Sequence, residues 1–370
     1  SLLTVELNRI HGTIYSERYW NTLLNRFLYP LVASIMDKVF LLQALAEKRP
    51  GLVAEVLDCD EAWIHPHTIP GFGGSRILHF VLFSVIVVKT GILPSHIAES
   101  ASVRQALGRM GDGKKDLKSK KGSGVSLVRW ATRLFKARLG WFLQIRKTLN
   151  GELPLWAFGF TTSPVLALGD QYLDPAPLKA LLRQAGGSAC HYNPREWDAG
   201  PFDPVDRKLR ATLKFPPASS PLDTALQESL RLLLPTLYLE NFSRARKLTR
   251  KILPAKKAVI LNSQHSGGRE LVDFFIAHSV EEKRSHHMMI CHGGCFGTME
   301  VSVQDRIWAQ ISDSYALWSN PKAYGPGCEF VKKPSLRFHK WRDFSRDAAP
   351  GGDVLVFLTC LLYTSDAADE

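Results

Sequence analysis

From Val259 to Trp318 the chain reads VILNSQHSGGRELVDFFIAHSVEEKRSHHMMICHGGCFGTMEVSVQDRIWAQISDSYALW. Short apolar runs at 259–261, 287–291 and 315–318 have strand length, while 269–281 and 302–310 between them carry the three- and four-residue apolar spacing of helices. Strand and helix alternating in this order predict an α/β fold: a Rossmann-like, mostly parallel sheet covered by helices.

Working outward, 155–160 reads as a further strand and 177–184 and 222–251 as helices. The first 150 residues are helical in texture. Ser16 before Glu17 has the form of an N-cap, and Trp20, Leu23, Leu24, Phe27, Leu28, Leu31, Ile35, Val39 and Leu42 then recur at helical spacing until Pro50-Gly51, with Pro30 expected to kink or split the helix. A short strand is expected within 52–57 and a helix from about Ser75. The most apolar run, 77–88, is 12 residues long and contains His79 and Ser84. A bilayer needs about 20 residues, so this run is read as a buried helix.

Residues 108–124 are Gly, Lys and Ser with little to bury, which reads as a basic flexible loop; 126–149 follows as a helix with one aromatic and one basic face. Such a helix suits an anionic lipid interface, although such helices more often pack on their own sheet with the cations in solvent. The expected organisation is an N-terminal α/β domain over 1–352: helical to 150, Rossmann-like over 151–331, a Pro-rich basic linker at 332–352. The first strand of another domain follows at 353–359. Two features suggest a piece of a longer frame. The chain opens without Met, with Leu2, Leu3 and Val5 already in helical rhythm, and Cys360 to Glu370 (CLLYTSDAADE) resembles translated sequencing adapter.

The chain has 370 residues, 45% apolar, with a formal charge of +12 that becomes +15 without the three acids of that tail. This excludes a disordered or collagen-like chain and predicts attraction to anions. Five scattered cysteines outside the tail make no disulfide framework and point to a reducing compartment.

The segment richest in chemistry is CHGGCFGT, 291–298. A buried strand runs into His292, then Gly293, Gly294 and Gly297. In an open parallel sheet ligands bind beyond the carboxyl ends of strands, where glycines let backbone N–H groups approach an anion. His292 at such a rim has a pKa suited to moving a proton. A glycine turn with a structural histidine is the alternative reading. Cys291, His292 and Cys295 lack a second Cys/His pair to complete a zinc site, so no metal is expected. His65 and His67, likewise without further ligands nearby, read as surface residues. The neighbouring strand ends in Asn262 and Ser263 and leads to Arg269; if it lies beside the first, both ends face one crevice, and a plain strand-to-helix loop capped by Ser266 is the equal alternative. The G-x-x-x-x-G-K spacing at 108–114 has Lys115 where a phosphate-binding loop needs Ser or Thr, and no G-x-S-x-G elbow exists.

Four blocks, LNRIHGTIYSERYWNTLL (7–24), LPTLYLENF (234–242), CHGGCFGT (291–298) and ISDSYALW (311–318), resemble in sequence and order a family of bacterial transferases. That family is associated with surface-carbohydrate gene clusters of the O-antigen or capsule type. The family's Gln-His-Gly-Gly block falls on Cys291, His292, Gly293 and Gly294, with Phe296 and Gly297 on its aromatic-glycine pair. Ile311, Ser312 and Asp313 match the next block, and Ser319-Asn320 replace its Gly-Trp. His11, Tyr15, Ser16, Arg18, Tyr19 and Trp20 match the first block. Members are similar to B-type (GT-B) glycosyltransferases, two Rossmann-like halves facing across a cleft. The resemblance therefore implies an enzyme moving a sugar or related group from a nucleotide-sugar donor to a carbohydrate or lipid-linked acceptor, as in lipopolysaccharide biosynthesis. It implies no tightly bound cofactor, no nucleic acid partner, and a cytoplasmic location with peripheral contact at the inner membrane face. His292 would be the catalytic base; Gly293, Gly294, Gly297, Asn262, Ser263, Arg18, His11, Tyr19 and Arg269 would contact substrate. A chain lacking most of its C-terminal half is expected to be inactive alone. The rival reading is a non-catalytic basic protein that binds an anionic membrane or polymer.

Overall fold

The computed structural model describes residues 1–57, 76–97, 165–168, 189–192, 203–262, 270–291, 302–317 and 327–332. The chain divides into two compact units, one drawing on Ser1–Arg26, Gly151–Pro201 and Asn241–Glu370, the other on Phe27–Asn150 and Phe202–Glu240.

The first unit is built on a six-stranded, wholly parallel sheet. Its strands are β3 (Val165–Leu168), β4 (Ala189–Tyr192), β5 (Val259–Asn262), β6 (His286–Ile290), β7 (Ser314–Leu317) and β8 (Glu329–Lys332), in the order β4-β3-β5-β6-β7-β8. The expected α/β class is therefore present. The chain moves outward from β3 to β4, then returns to the other side of β3 and proceeds through β5 to β8. The strand order reverses between β3 and β5, which is where open α/β sheets leave a crevice at their carboxyl ends.

Helix α7 (Glu270–Lys283) joins β5 to β6, and α8 (Val303–Ile311) lies between β6 and β7. The register aligns Asn262 with Met289 and Met289 with Tyr315. With a side-chain period of two, Ile260, Asn262, His287, Met289, Cys291, Tyr315 and Leu317 share one sheet face. Two buried clusters cover it. One gathers Ile260 with Val272, Phe275 and Ile276 of α7; the other gathers Met289, Cys291, Tyr315 and Leu317 with Trp308 and Ile311 of α8. Ser302 caps α8 by accepting from the Asp305 N–H at 3.1 Å, a start signal visible in the sequence.

This unit also contains α1 (Leu2–His11), the first turns of α2 (Glu17–Lys48) and α6 (Phe242–Arg250). Gly12 ends α1 in the left-handed region, at φ 59°, where a side chain would be strained. Asn8 then folds the loop back: its Oδ1 accepts from Thr13 Oγ1, Tyr15 N and Trp20 Nε1, and its Nδ2 donates to Tyr15 O.

The second unit holds the rest of α2, then β1 (Ala54–Val56), α3 (Arg76–Thr90), β2 (Ser95–Ile97), α4 (Arg207–Ala211) and α5 (Pro221–Leu233). β1 and β2 pair in parallel. Arg210, 4% exposed, pairs with Glu240 and donates to the carbonyls of Arg231, Leu232 and Leu234, closing the open end of α5. The apolar run at 77–88 is helical as expected, with Val81, Leu82, Val85, Ile86 and Val87 buried.

Three local expectations change. Pro30 does not split α2. A mid-helix proline costs about 3 kcal/mol, whereas Leu23, Phe27, Leu31, Ile35, Val39 and Leu42 are all buried, each worth about 1.5–3 kcal/mol. By length and composition α2 is also apolar enough to cross a membrane. Second, the single helix expected over 222–251 is α5, a 3₁₀ turn at Thr236–Tyr238, and α6, because Pro235 interrupts it. Third, β2, β3, β4, β8 and α4 are additional to the expected elements. The loop at 108–124 and the segments 126–149, 155–160, 177–184 and 333–370 lie outside the described residues.

Candidate functional site

The carboxyl edge of the sheet comes first, because topology places the crevice there. β5 and β6 are adjacent and parallel, so Asn262 at the end of one and Cys291 just beyond the other reach the same edge, as expected from sequence. Asn262 is buried, at 3% exposure. Cys291 continues the ladder by donating its backbone N–H to Ala316 O at 2.9 Å, and its thiol is buried beside Tyr315. The Tyr315 hydroxyl donates to Asp305 Oδ1 at 2.7 Å. Burial first, then the neighbouring Cys291 and Asp305, push the Tyr315 phenol far above its ordinary range, so it remains a neutral donor. The strand delivering the chain to His292 is thus tied to β7 through its backbone and to α8 through Tyr315 and Asp305. His292, Gly293, Gly294, Gly297, Ser263 and Arg269 lie outside the described residues.

The residues grouped with them from the first block lie elsewhere. Arg18 donates from Nη1 to Asp313 Oδ1 at 2.6 Å, and from Nε and Nη2 to Ile311 O. Ile311 ends α8 and Asp313 immediately precedes β7, so these contacts are at the amino edge of the sheet. Asp313 Oδ2 also accepts from the backbone N–H of His287 at 2.8 Å. Burial alone would raise the Asp313 pKa, but Arg18 and that N–H more than offset it and hold the carboxyl below its ordinary value.

Beside this clasp, Tyr15 donates to Glu282 Oε1 at 3.0 Å, and Ser16 donates from its backbone N and its hydroxyl to Glu281, both at 2.7 Å. Tyr19, 1% exposed, meets His278 Nε2 through its hydroxyl at 3.3 Å, while His278 Nδ1 lies 3.4 Å from Glu282 Oε1. Burial lowers the His278 pKa despite Glu282, so the ring is neutral. Burial opposes ionisation of Glu282, yet its hydrogen-bond partners His278 and Tyr15, with Arg250 close by, bring its pKa down to about 2. Burial and Glu282 in turn raise Tyr15 to about 12. His11 stacks on Phe242 at 4.1 Å between centroids and on Trp20 at 5.9 Å. Arg18 therefore lies at the opposite edge of the sheet from Asn262, while His11 packs on Phe242 of α6 and Tyr19 meets His278 of α7. They fasten the N-terminal helices to the strands and helices of the sheet.

A family model described as LIC12162 family transferase matches residues 1–368 of the chain. The chain belongs to the LIC12162 family of transferases. No curated protein and no solved structure matches it.

Family members by that description move a group from a donor to an acceptor, and the edge that suits such chemistry in a parallel sheet is the one carrying Asn262 and Cys291. Sequence reasoning missed Asp305 and Tyr315 as the supports of that edge. The available signal was Ser302 three residues before Asp305, which fixes the helix start and hence the turn that faces β7. Among the described residues, no group of three His, Cys, Asp or Glu side chains is placed to hold a metal ion.

Proposed function

We propose that the protein is a glycosyltransferase-like enzyme, one Rossmann-like half of a B-type pair, acting on a nucleotide-sugar donor and a surface-polysaccharide or lipid-linked acceptor. It works in the cytoplasm, at the inner membrane face where a lipid-linked acceptor would be presented. One observation carries this reading: in a chain of a transferase family, two adjacent parallel strands end together at Asn262 and Cys291, next to the point where strand order reverses. In this mechanism His292 accepts the proton of the acceptor hydroxyl as that oxygen attacks the sugar carbon. The bond from that carbon to the donor phosphate breaks, and the nucleoside diphosphate leaves with the electron pair. Backbone N–H groups at Gly293, Gly294 and Gly297, with Asn262, Ser263 and Arg269, bind the anionic part of the donor or acceptor. His11, Arg18 and Tyr19 stabilise the fold that carries the site and take no part in the transfer.

Family membership favours this enzyme over a non-catalytic polyanion binder. The test is a screen of the protein against nucleotide-sugars by thermal shift, since a ligand bound only to the native state raises the melting temperature. At least one nucleotide-sugar is expected to stabilise the protein and to be consumed with an acceptor. If none binds and none is consumed, the assignment fails.

A further inference from the structure

Helix α6 carries a feature that the proposed transfer reaction does not use. Its sequence is FSRARKLTR, and from Asn241 to Arg269 the chain contains no Asp or Glu. Phe242, Ala245 and Thr249 turn inward and are buried. Ser243, Arg246, Lys247, Arg250 and Lys251, spaced i, i+3, i+4, i+7, i+8, form one stripe lining an open groove of about 450 Å³, within the size range of small-molecule sites. Like charges three and four residues apart destabilise a helix by a few tenths of a kcal/mol per pair. The stripe relieves little of that repulsion itself. Arg250 donates from Nε to Glu282 Oε2 at 2.9 Å, but Glu282 also serves Tyr15 and His278. Lys247 and Lys251 are exposed and have no ion pair among the described residues. The Arg246 guanidinium is held over the Tyr15 ring, 5.4 Å from its centroid, and its buried Nε finds no hydrogen-bond partner among the described residues.

Four cations against one shared carboxylate leave a groove with about three uncompensated positive charges. Two planar forks and a hydroxyl among them suit phosphate oxygens, which arginine binds bidentately. On the exposed side of α6, Leu248 is the large apolar residue in contact with solvent, at 36%. That is too little apolar surface for a helix seated in a lipid interface. The groove is also remote from the transfer crevice. The chain runs directly from Arg250 and Lys251 to the start of β5, and Glu282 precedes the start of β6, so these groups lie at the amino edge. A four-residue strand separates the two edges by about 13 Å.

We propose that the α6 groove is a second, separate anion site that takes a soluble diphosphate, with Arg246 and Arg250 gripping the phosphate oxygens, Lys247 and Lys251 supplying charge and Ser243 a hydroxyl donor. The test uses the 370-residue chain with inorganic pyrophosphate as probe, followed by calorimetric titration and thermal shift at fixed ionic strength. Saturable binding is expected, with affinity reduced at least tenfold in Lys247→Glu/Lys251→Glu and in Arg246→Gln, and unchanged in His292→Ala. The two exposed lysines carry no core contact, so their double variant keeps the test meaningful if Arg246→Gln disturbs the fold. Binding lost in His292→Ala but kept in the lysine variant would overturn the proposal. So would an equal response to sulfate, or no response to pyrophosphate. Flotation with phosphatidylglycerol vesicles, or binding of a single-stranded oligonucleotide, that pyrophosphate does not displace would overturn it in favour of a membrane or nucleic acid partner.

Discussion

The two edges of the parallel sheet are built on different principles. At the amino edge the residues of the first block are tied to partners within the fold, Arg18 to Asp313, Tyr15 and the neutral His278 to Glu282, Ser16 to Glu281, beside the largely unpaired cations of α6. At the carboxyl edge the described groups, Asn262, Cys291, Tyr315 and Asp305, are polar side chains sunk beneath the strand ends, and the strands lead to glycine-rich sequence. First-block side chains whose partners all belong to the fold stabilise it. An edge that keeps neutral donors under a strand end is suited to hold a reactive loop in place. The same matched sequence family supplies residues to both, so a shared motif does not mean a shared site.

Substitutions at the two edges should therefore separate stability from activity. The largest stability loss is expected from Trp20→Ala, because the indole is buried, donates to Asn8 and stacks on Phe242. Such truncations cost about 3–5 kcal/mol, read as a fall in the denaturant midpoint. A loss below 1 kcal/mol would show that the N-terminal helices are not fastened as described. Next is Asp313→Ala, which strips acceptors from Arg18 and from the His287 N–H. Hydrogen bonds to charged groups are worth about 1.5–3 kcal/mol, so a drop of about 2 kcal/mol is expected. Arg18→Met in the Asp313→Ala background should cost less than in the parent chain, because only its bonds to Ile311 O remain to be lost, and full additivity would break the pairing.

Tyr315→Phe sharpens the other side. It removes the donor to a fully buried Asp305, for about 1–2 kcal/mol, and at the carboxyl edge it should also lower turnover. Stability lost without any change in turnover would place Tyr315 with the amino-edge clasp. The smallest effect near neutrality is that of pH. Glu282 ionises at about 2 in the folded chain against an ordinary 4.5, so its contribution is complete above about pH 4.5 and fades as pH falls toward 2. Tyr15 at about 12 against 10 acts in the opposite sense, its contribution fading as pH climbs from 10 to 12. Melting temperature should be flat between about pH 6.5, below which buried His278 resists protonation, and about pH 9, above which half-buried Cys328 resists ionisation, and Glu282→Gln should flatten the limb below about pH 4.5.

Much of the sheet could be read from the chain because β5, β6 and β7 are apolar runs separated by helices with their own start signals, such as Ser302. β8, with Glu329 and Lys332 at its ends, escaped because an edge strand facing solvent carries charge that masks its pattern. β4, ACHY, has too little β-branched or aromatic content to mark it as a strand. Position at the carboxyl edge was legible for Asn262 and Cys291, since it follows from strand direction alone. The fate of Arg18 was not: its partner Asp313 is 295 positions away, and an arginine beside aromatic residues reads the same whether it meets substrate or a carboxylate of its own fold.

The division of labour between the edges is tested most directly by the transfer rate of the protein with His292→Ala beside Arg18→Met. The account predicts that His292→Ala lowers turnover by about 10²–10⁴-fold, the usual worth of general base catalysis, with an unchanged melting temperature. Arg18→Met should lower the melting temperature while the folded enzyme turns over normally. Near-normal turnover in His292→Ala, or an equal loss of turnover in folded Arg18→Met, would contradict it.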